Sequence, residues 1–425
     1  MASEHKLNVF NKKISPQAAT VIAMLFLSAL TGLFNQTILS LGIVLCCGIL
    51  LVLDKLYLAF PFMIFYNSFY GLLFGVSVLR FYTLLVAFSL LMKLSGKSKF
   101  KLKYIPPLTV YALFIIVTMI PAIGLVSSAF LIVDVIACLY IVALITKEEN
   151  GGINDFFKTY VFVALISFLT GIVADNSIGG KYDYSRFMAT FEDPNYMGFF
   201  FTLAIFALVC LKLFNRRIRI FLVVVLYAMI LTTLSMTAII VNMMLWVIYL
   251  VIMKKFKWWS IFVVAFVVIL SLGLYEYGLS NPSAPVIGDL SSRINEKLAS
   301  LVSGDVSDFT TGRSSLTAEH FEYYINSSPL NILFGGIPSN PRYIDPALKM
   351  AAHNEYIDLL LNVGFLGAVV MLFYFFRSTL IYYKKYASKH ETTYSFLVMI
   401  KCAWACYALA LTMFLDFRFM IVFLV

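Results

Sequence analysis

The chain reads as an all-α, polytopic integral membrane helix bundle, and three observations predict it. Of 425 residues, 61% are apolar and 13% charged, with a mean hydropathy of +0.91, whereas soluble domains carry about 25% charged residues. The apolar residues gather in unbroken runs such as 220–231 and 261–274, unlike the short stretches of alternating polarity that build a membrane β-barrel. Basic residues recur in every second loop, as the positive-inside rule requires. A soluble enzyme, a disordered chain and a nucleic-acid binder with a basic surface are excluded together. The net charge of +10 belongs to loops on one side of a membrane.

At roughly 20 residues per crossing, the length accommodates about 12–14 spans. They are expected at 16–34, 37–53, 56–74, 79–94, 105–121, 127–146, 159–174, 196–212, 219–234, 236–253, 259–279, 357–376 and 394–412, and 419–425 begins another apolar segment. The first run, preceded by Lys6, Lys12 and Lys13, mimics a signal peptide. It lacks a convincing small-x-small cleavage site and is followed at once by another span, so it is expected to stay as an uncleaved helix. Residues 219–253 are too many for one crossing, which places a tight turn near Ser235.

With a cytoplasmic N-terminus, 22 of the 32 Lys and Arg residues fall inside. Two longer segments then lie outside, 175–195 and 280–356. The chain divides into spans 1–279 with the outer loop 175–195, a large extracytoplasmic loop 280–356, and C-terminal spans 357–425. Within the large loop, Leu290, Ile294, Leu298, Leu301 and Val302 share a helix face that Gly304 would close. Ser314 or Ser315 could cap a second helix running to about Asn326. Such amphipathic pieces are expected to lie on the outer leaflet, partly covering the bundle. The six cysteines sit in apolar runs, which speaks against a disulfide framework or a zinc ribbon.

Three polar clusters stand in these loops: Arg186 through Asn195, Tyr196 and Gly198; Thr310 through Arg313 to Ser315; and Ala352 through His353, Asn354 and Glu355 to Tyr356. Gly335 and Gly336 read as a turn, and Gly364 and Gly367 as points where the following span could bend. Arginine's fixed donor fork suits phosphate and pyrophosphate, and a neutral histidine can accept a proton near pH 7. Together they suit a lipid-linked phosphate leaving group attacked by a hydroxyl. Taken singly, an interfacial arginine could instead bind lipid phosphate or snorkel, and a histidine at a helix start could cap or pack. Glu192 and Asp193 form the nearest approach to a metal-binding pair, against the plainer reading of a solvated turn before Pro194. Asp134, inside an apolar span, needs a partner at a cost of roughly 2.5–3.5 kcal/mol, and Arg80 lies at a similar depth.

The order of these clusters resembles the O-antigen ligase/polymerase family of bacterial membrane glycosyltransferases. The matching features are the Arg186 to Asn195 stretch opening a span, Thr-Gly-Arg313, Gly335-Gly336 and His353-Asn354, on a plan of a dozen spans with one large outer loop near the C-terminus. Residue likeness extends over about 160–370, and the chain departs from the family's plan soon after Asp416 and Arg418. The resemblance implies metal-independent glycosyl transfer, without a cofactor, at the outer face of the bacterial inner or plasma membrane. Donor and acceptor would be undecaprenyl-pyrophosphate-linked oligosaccharides, with chain-length regulator and flippase proteins as possible partners in the bilayer. It implies His353, Arg313 and Arg186 as catalytic residues. Asn195, Tyr196, Asn354, Glu355 and Arg80 complete the expected substrate-binding set. A polymerase of O-antigen, capsule or exopolysaccharide repeats is preferred by analogy. A ligase acting on lipid A core shares the motifs. A flippase would spread polar residues through its helices and repeat its halves, which these spans do not.

Overall fold

The computed structural model describes residues 36–52, 55–66, 72–73, 76–95, 118–147, 152–174, 177–179, 185–253, 272–284, 286–304, 312–339, 344–348 and 350–413, with 23, 116, 310, 416, 418 and 419 besides. The expected spans at 16–34 and most of 105–121 and 259–279, with nearly all of the tail 419–425, lie outside the described residues.

The described chain is mostly helical. In order come α1 (Gln36–Val52), a single 3-10 turn (Leu56–Ala59) leading into α2 (Phe60–Phe65), α3 (Val78–Ser95), α4 (Leu125–Lys147) and α5 (Gly152–Val173). Then follow α6 (Pro194–Cys210), α7 (Arg216–Thr232), α8 (Met236–Ile252), α9 (Ile287–Val302), α10 (Arg313–Ile325), α11 (Pro329–Phe334), α12 (Glu355–Lys389) and α13 (Thr392–Tyr407). Two short antiparallel ribbons interrupt them: β1 (Leu72–Leu73) with β2 (Val76–Ser77), and β3 (Ser177–Gly179) with β4 (Ser185–Phe187). Among the described residues, α4, α5 and α12 are long and apolar enough to cross a membrane. Shorter apolar helices include α6 and α8. The chain is an all-α protein with membrane-spanning helices.

The helical part of the expected span 56–74 ends at Phe65, and residues 72–73 and 76–77 are extended. Ten helical residues rise only about 15 Å. The break expected near Ser235 is present: Ser235 is the N-cap of α8, and its hydroxyl accepts from the Ala238 N–H at 3.1 Å.

The core sits around α6, which is apolar on every side and buried along nearly its whole length, the mark of a central helix. It packs against α5, α7, α8 and α13. Gly198 lets α8 approach: a Cβ there would come within 2.5 Å of the Ala238 methyl. Beneath that contact, Asn242 Nδ2 donates to Thr202 Oγ1 at 2.7 Å, and Thr202 Oγ1 lies 3.0 Å from the Tyr407 hydroxyl. Such polar bridges join α6, α8 and α13 where lipid offers no hydrophobic drive between helices.

α12 is two helices joined at Gly364, whose φ of 69° and ψ of 178° break the ladder. The C-terminal end of α11 fits into that break. The Gly336 N–H donates to Asn362 O at 3.0 Å and the Ile337 N–H to Leu361 O at 3.1 Å. The first turn of α12 is docked on the end of α13. The Glu355 N–H donates to Ala408 O at 2.7 Å, the Glu355 carboxylate accepts the Met413 N–H, and Thr412 Oγ1 donates to Asp358 at 2.6 Å. These bonds fix where the residues just before α12 stand.

Candidate functional site

The site is built on the turn between α7 and α8. β4 carries Arg186 opposite Ile178 of β3, and its Nε donates to Thr233 O at 3.3 Å. Asn195, in the first turn of α6, is 2% exposed. Its Oδ1 accepts from the Ser235 hydroxyl at 2.6 Å, while its Nδ2 donates to Asp193 Oδ1 at 2.7 Å. Asp193 itself caps α6, accepting the Asn195 N–H at 2.6 Å. The starts of α6 and α8 are thereby tied together beneath Arg186.

α10 brings Arg313 to the same place. Its first residue follows Gly312, the N-cap at φ 79°, and its Nη1 donates to Thr237 Oγ1 on α8 at 3.2 Å. The expected serine cap is not used. Ser314 and Ser315 lie inside the first turn, and Thr310 Oγ1 accepts the Ser314 N–H at 3.1 Å. Thr310 can reach that donor because the left-handed Gly312 curls the chain back on itself.

α9 forms an amphipathic helix where one is expected, Gly304 follows it at φ 74°, and its apolar end is the more exposed part. Gly288, Ser291, Arg293 and Lys297 are buried, whereas Leu298, Leu301 and Val302 are 47%, 58% and 88% exposed. A helix beside lipid has no need to hide its leucines, but its cations must face polar surroundings.

Arg186, Arg293, Lys297 and Arg313 together line one cavity of about 1190 Å³, with Asp193 the one carboxylate in its wall among the described residues and His353 beside them. The four cations converge from three elements and, among the described residues, outnumber the carboxylate, which gives this part of the cavity a positive field. An apolar part of the wall is formed by Ile240 and Met244 of α8 and Leu298 and Leu301 of α9, among others. A polyanionic head with an apolar chain matches both halves.

His353 precedes the N-cap of α12 in the left-handed region at φ 51°. Such a conformation is uncommon outside glycine and recurs at functional sites. Burial holds its imidazole below the ordinary value of 6.5. Arg313 adds to that, Asp193 opposes it, and His320 lowers it further. The ring is thus kept in the form that accepts a proton. Arg313 is itself lowered by burial, against Asp193 and in concert with Arg293, and an arginine stays charged through such shifts.

Of the residues singled out in the sequence, Arg186, Arg313, His353, Asn195 and Asn354 line this cavity. Asn195 is engaged with Ser235 and Asp193, and Asn354 caps α12, accepting the Tyr356 and Ile357 N–H groups at 3.1 and 3.4 Å. Three others are not in its lining. Glu355 is buried against Met413. Tyr196 donates to Thr412 O at 3.3 Å. The Arg80 guanidinium lies 4.2 Å from the centre of the Phe130 ring, on the face where α3 meets Asp134's helix α4. Sequence reasoning passed over Arg293, Lys297 and Thr237. The four-residue spacing of Arg293 and Lys297, one turn apart in an otherwise amphipathic helix, was the signal available for the first two. In comparisons with protein-family models, curated proteins and solved structures, the chain matches none.

Proposed function

We propose that this chain is a membrane glycosyltransferase that polymerises oligosaccharide repeat units carried on undecaprenyl pyrophosphate, at the outer face of a bacterial inner or plasma membrane. In this reading the N-terminus is cytoplasmic, the chain has about 12–14 spans, and the cavity opens on the outer side. The observation that carries the reading is the convergence of Arg186, Arg313 and His353 on one cavity that also holds Arg293 and Lys297.

The chemistry follows from those groups. An acceptor sugar hydroxyl attacks the anomeric carbon of the donor glycan. A ring nitrogen of His353 takes the hydroxyl proton as the new C–O bond forms. The bond from the anomeric carbon to the pyrophosphate oxygen breaks, and its electron pair leaves with the pyrophosphate. Charge grows on that oxygen in the transition state, so fixed cations aimed at it accelerate the step. Arginine forks suit the two phosphates. The apolar wall along Ile240, Met244, Leu298 and Leu301 accommodates the start of the isoprenoid chain. No metal is required, because the four cations supply the charge stabilisation.

The test is a deletion strain and its membranes. Loss of the chain should leave single repeat units on the lipid carrier, and purified protein in proteoliposomes with EDTA should extend them while releasing undecaprenyl pyrophosphate. Unchanged polymer length in the deletion strain would sink the proposal. Release of carrier only when lipid A core is supplied would replace the polymerase by a ligase.

A further inference from the structure

One face of α10 carries a series of hydrogen-bond donors that each reach a different segment. Arg313 donates to Thr237, Thr317 Oγ1 to Ala352 O at 3.4 Å, and the Tyr324 hydroxyl to Ile332 O at 2.6 Å. Between them stands His320, fully buried, with Nδ1 2.8 Å from Leu316 O and Nε2 2.8 Å from Met350 O. The spacing 313, 317, 320, 324 is the spacing of one helix face. Two of these donors, Thr317 and His320, hold the short stretch that runs directly into His353. A carbonyl oxygen only accepts and a neutral imidazole has one N–H, so the tautomer protonated at Nε2 donates to Met350 O. The far end of the same stretch is fixed by the Asn354 cap and by the Glu355 N–H on Ala408 O. His353 is therefore held in its left-handed conformation by an anchor on either side.

We propose that His320 is a positioning residue for His353: its bond to the Met350 carbonyl sets the path of the 350–352 backbone and so the place of the catalytic imidazole. This rests on the reading of His353 as the base. His320 touches neither donor nor acceptor, since it is absent from the cavity wall while Thr317 and Phe321 of the same helix belong to it. It links the helix that begins with Arg313 to the loop that ends with His353, and so couples the group that grips the leaving pyrophosphate to the group that takes the proton.

The test compares His320→Phe, which keeps a ring and removes the N–H, with His320→Gln, whose amide can still donate to Met350. A displaced base costs rate more than affinity, and a shift of about 1 Å is worth on the order of a hundredfold. His320→Phe should lower kcat about tenfold to a hundredfold, with KM for the lipid-linked donor within about twofold. His320→Gln should recover most of that loss, and Thr317→Val should show the same split more weakly. A second readout needs no turnover. The chain has four histidines, so the ring-nitrogen signals of His353 in ¹⁵N-histidine-labelled protein can be assigned through His353→Gln. Those signals should move or broaden in His320→Phe. Unchanged His353 signals, or equal losses of donor binding and rate that Gln does not rescue, would overturn the proposal. If wild-type protein makes no polymer, the enzymatic reading fails by itself, and the His353 signals still decide whether His320 positions that ring. Should His320→Phe not fold, Thr317→Val and His320→Gln carry the same comparison.

Discussion

The guanidinium of Arg418 is gripped by the carboxylate of Glu192, 226 residues earlier in the chain. Nη1 lies 3.2 Å from Glu192 Oε2, while Nε and Nη2 meet Asp416 at 3.0 and 2.6 Å. Arg418 is 2% exposed and also lies over the Tyr196 ring, 5.2 Å from its centre. The Glu192-Asp193 pair is thus divided between two tasks: Glu192 holds the C-terminal segment and Asp193 caps α6. Breaking a buried pair strands the remaining charge, at roughly 3–5 kcal/mol. Arg418 still pairs with Asp416 when Glu192 is lost, so Glu192→Gln should be the milder change, and Arg418→Ala, which leaves both carboxylates without their cation, the severe one. Arg418→Lys, which loses the fork, should fall between them. Thermal unfolding in detergent would read this order, and equal midpoints for Arg418→Ala and wild type would refute it.

Gly364 and Gly335 meet backbone to backbone. A Cβ on Gly364 would stand 2.4 Å from Gly335 N, and one on Gly335 would stand 2.4 Å from Asn362 O. Both residues also have positive φ, at 69° and 77°. An alanine at either position faces backbone overlap as well as the left-handed penalty of roughly 1–2 kcal/mol. Gly364→Ala should abolish stable expression or lower the unfolding midpoint by many degrees. Gly48→Ala, in α1 where a Cβ meets nothing within 4 Å, should be tolerated. Similar midpoints for the two variants would contradict this account of the break.

α9 turns its cations to the cavity, so their loss should weaken the hold on the donor. Hydrogen bonds to charged groups contribute roughly 1.5–3 kcal/mol, which is about tenfold to a hundredfold in affinity or rate. Arg293→Gln should raise KM for the lipid-linked donor by about tenfold, and Lys297→Gln by less, because Lys297 also lies 3.9 Å from Glu296. Leu298→Ala should be mild by comparison. Kinetics on proteoliposomes at fixed salt would measure all three, and unaltered donor KM in Arg293→Gln would remove α9 from the site.

Orientation is tested independently of activity. Ser303 at the end of α9 and Ser388 near the end of α12 are both exposed, and the proposed topology puts them on opposite sides. After replacement of the native cysteines, Ser303→Cys should react with an impermeant thiol reagent in outer-permeabilised cells and Ser388→Cys should not. The reverse pattern would place the cavity on the cytoplasmic side and end the reading offered for it.

The features legible in the sequence were those that local physics fixes. A 35-residue apolar stretch cannot be one crossing, so the turn at Ser235 was required, and a glycine in an apolar helix marked the break at Gly364. Arg186, Arg313 and His353 stood out because charges beside apolar spans need a reason. The rest depended on neighbours distant in the chain. Nothing local tells that Arg293 and Lys297 face inward, because an amphipathic helix beside lipid can present either face to the protein. Glu355 resembled a ligand-binding group until Met413, 58 residues away, claimed its carboxylate. Tyr196 was taken up in the same way by Thr412 and Arg418. Leu72 and Leu73 fell inside the expected span 56–74, yet they are extended, because hydropathy weighs apolarity and not backbone conformation.

The pH dependence of the reaction should follow His353. Burial, then Arg313, hold the His353 imidazole below its ordinary 6.5, with Asp193 pulling the other way. The unfolded chain therefore binds a proton more readily than the folded one between those two values. Folded protein has the full benefit of neutral His353 above pH 6.5, and loses it as pH falls through the lower folded-state value. Catalysis follows the same direction, because only the neutral ring accepts a proton. The acid limb of kcat/KM should lie below pH 6.5 and should vanish in His353→Gln together with most of the rate, since a general base contributes about 10²–10⁴-fold. Neighbouring charges should move the limb in opposite directions. Asp193→Asn keeps a good helix cap but removes the carboxylate that favours imidazolium, so the limb shifts to lower pH. Arg313→Gln removes the cation that disfavours it, so the limb of the slowed enzyme shifts to higher pH. A limb that stays put in both variants would show that the titrating group is not His353.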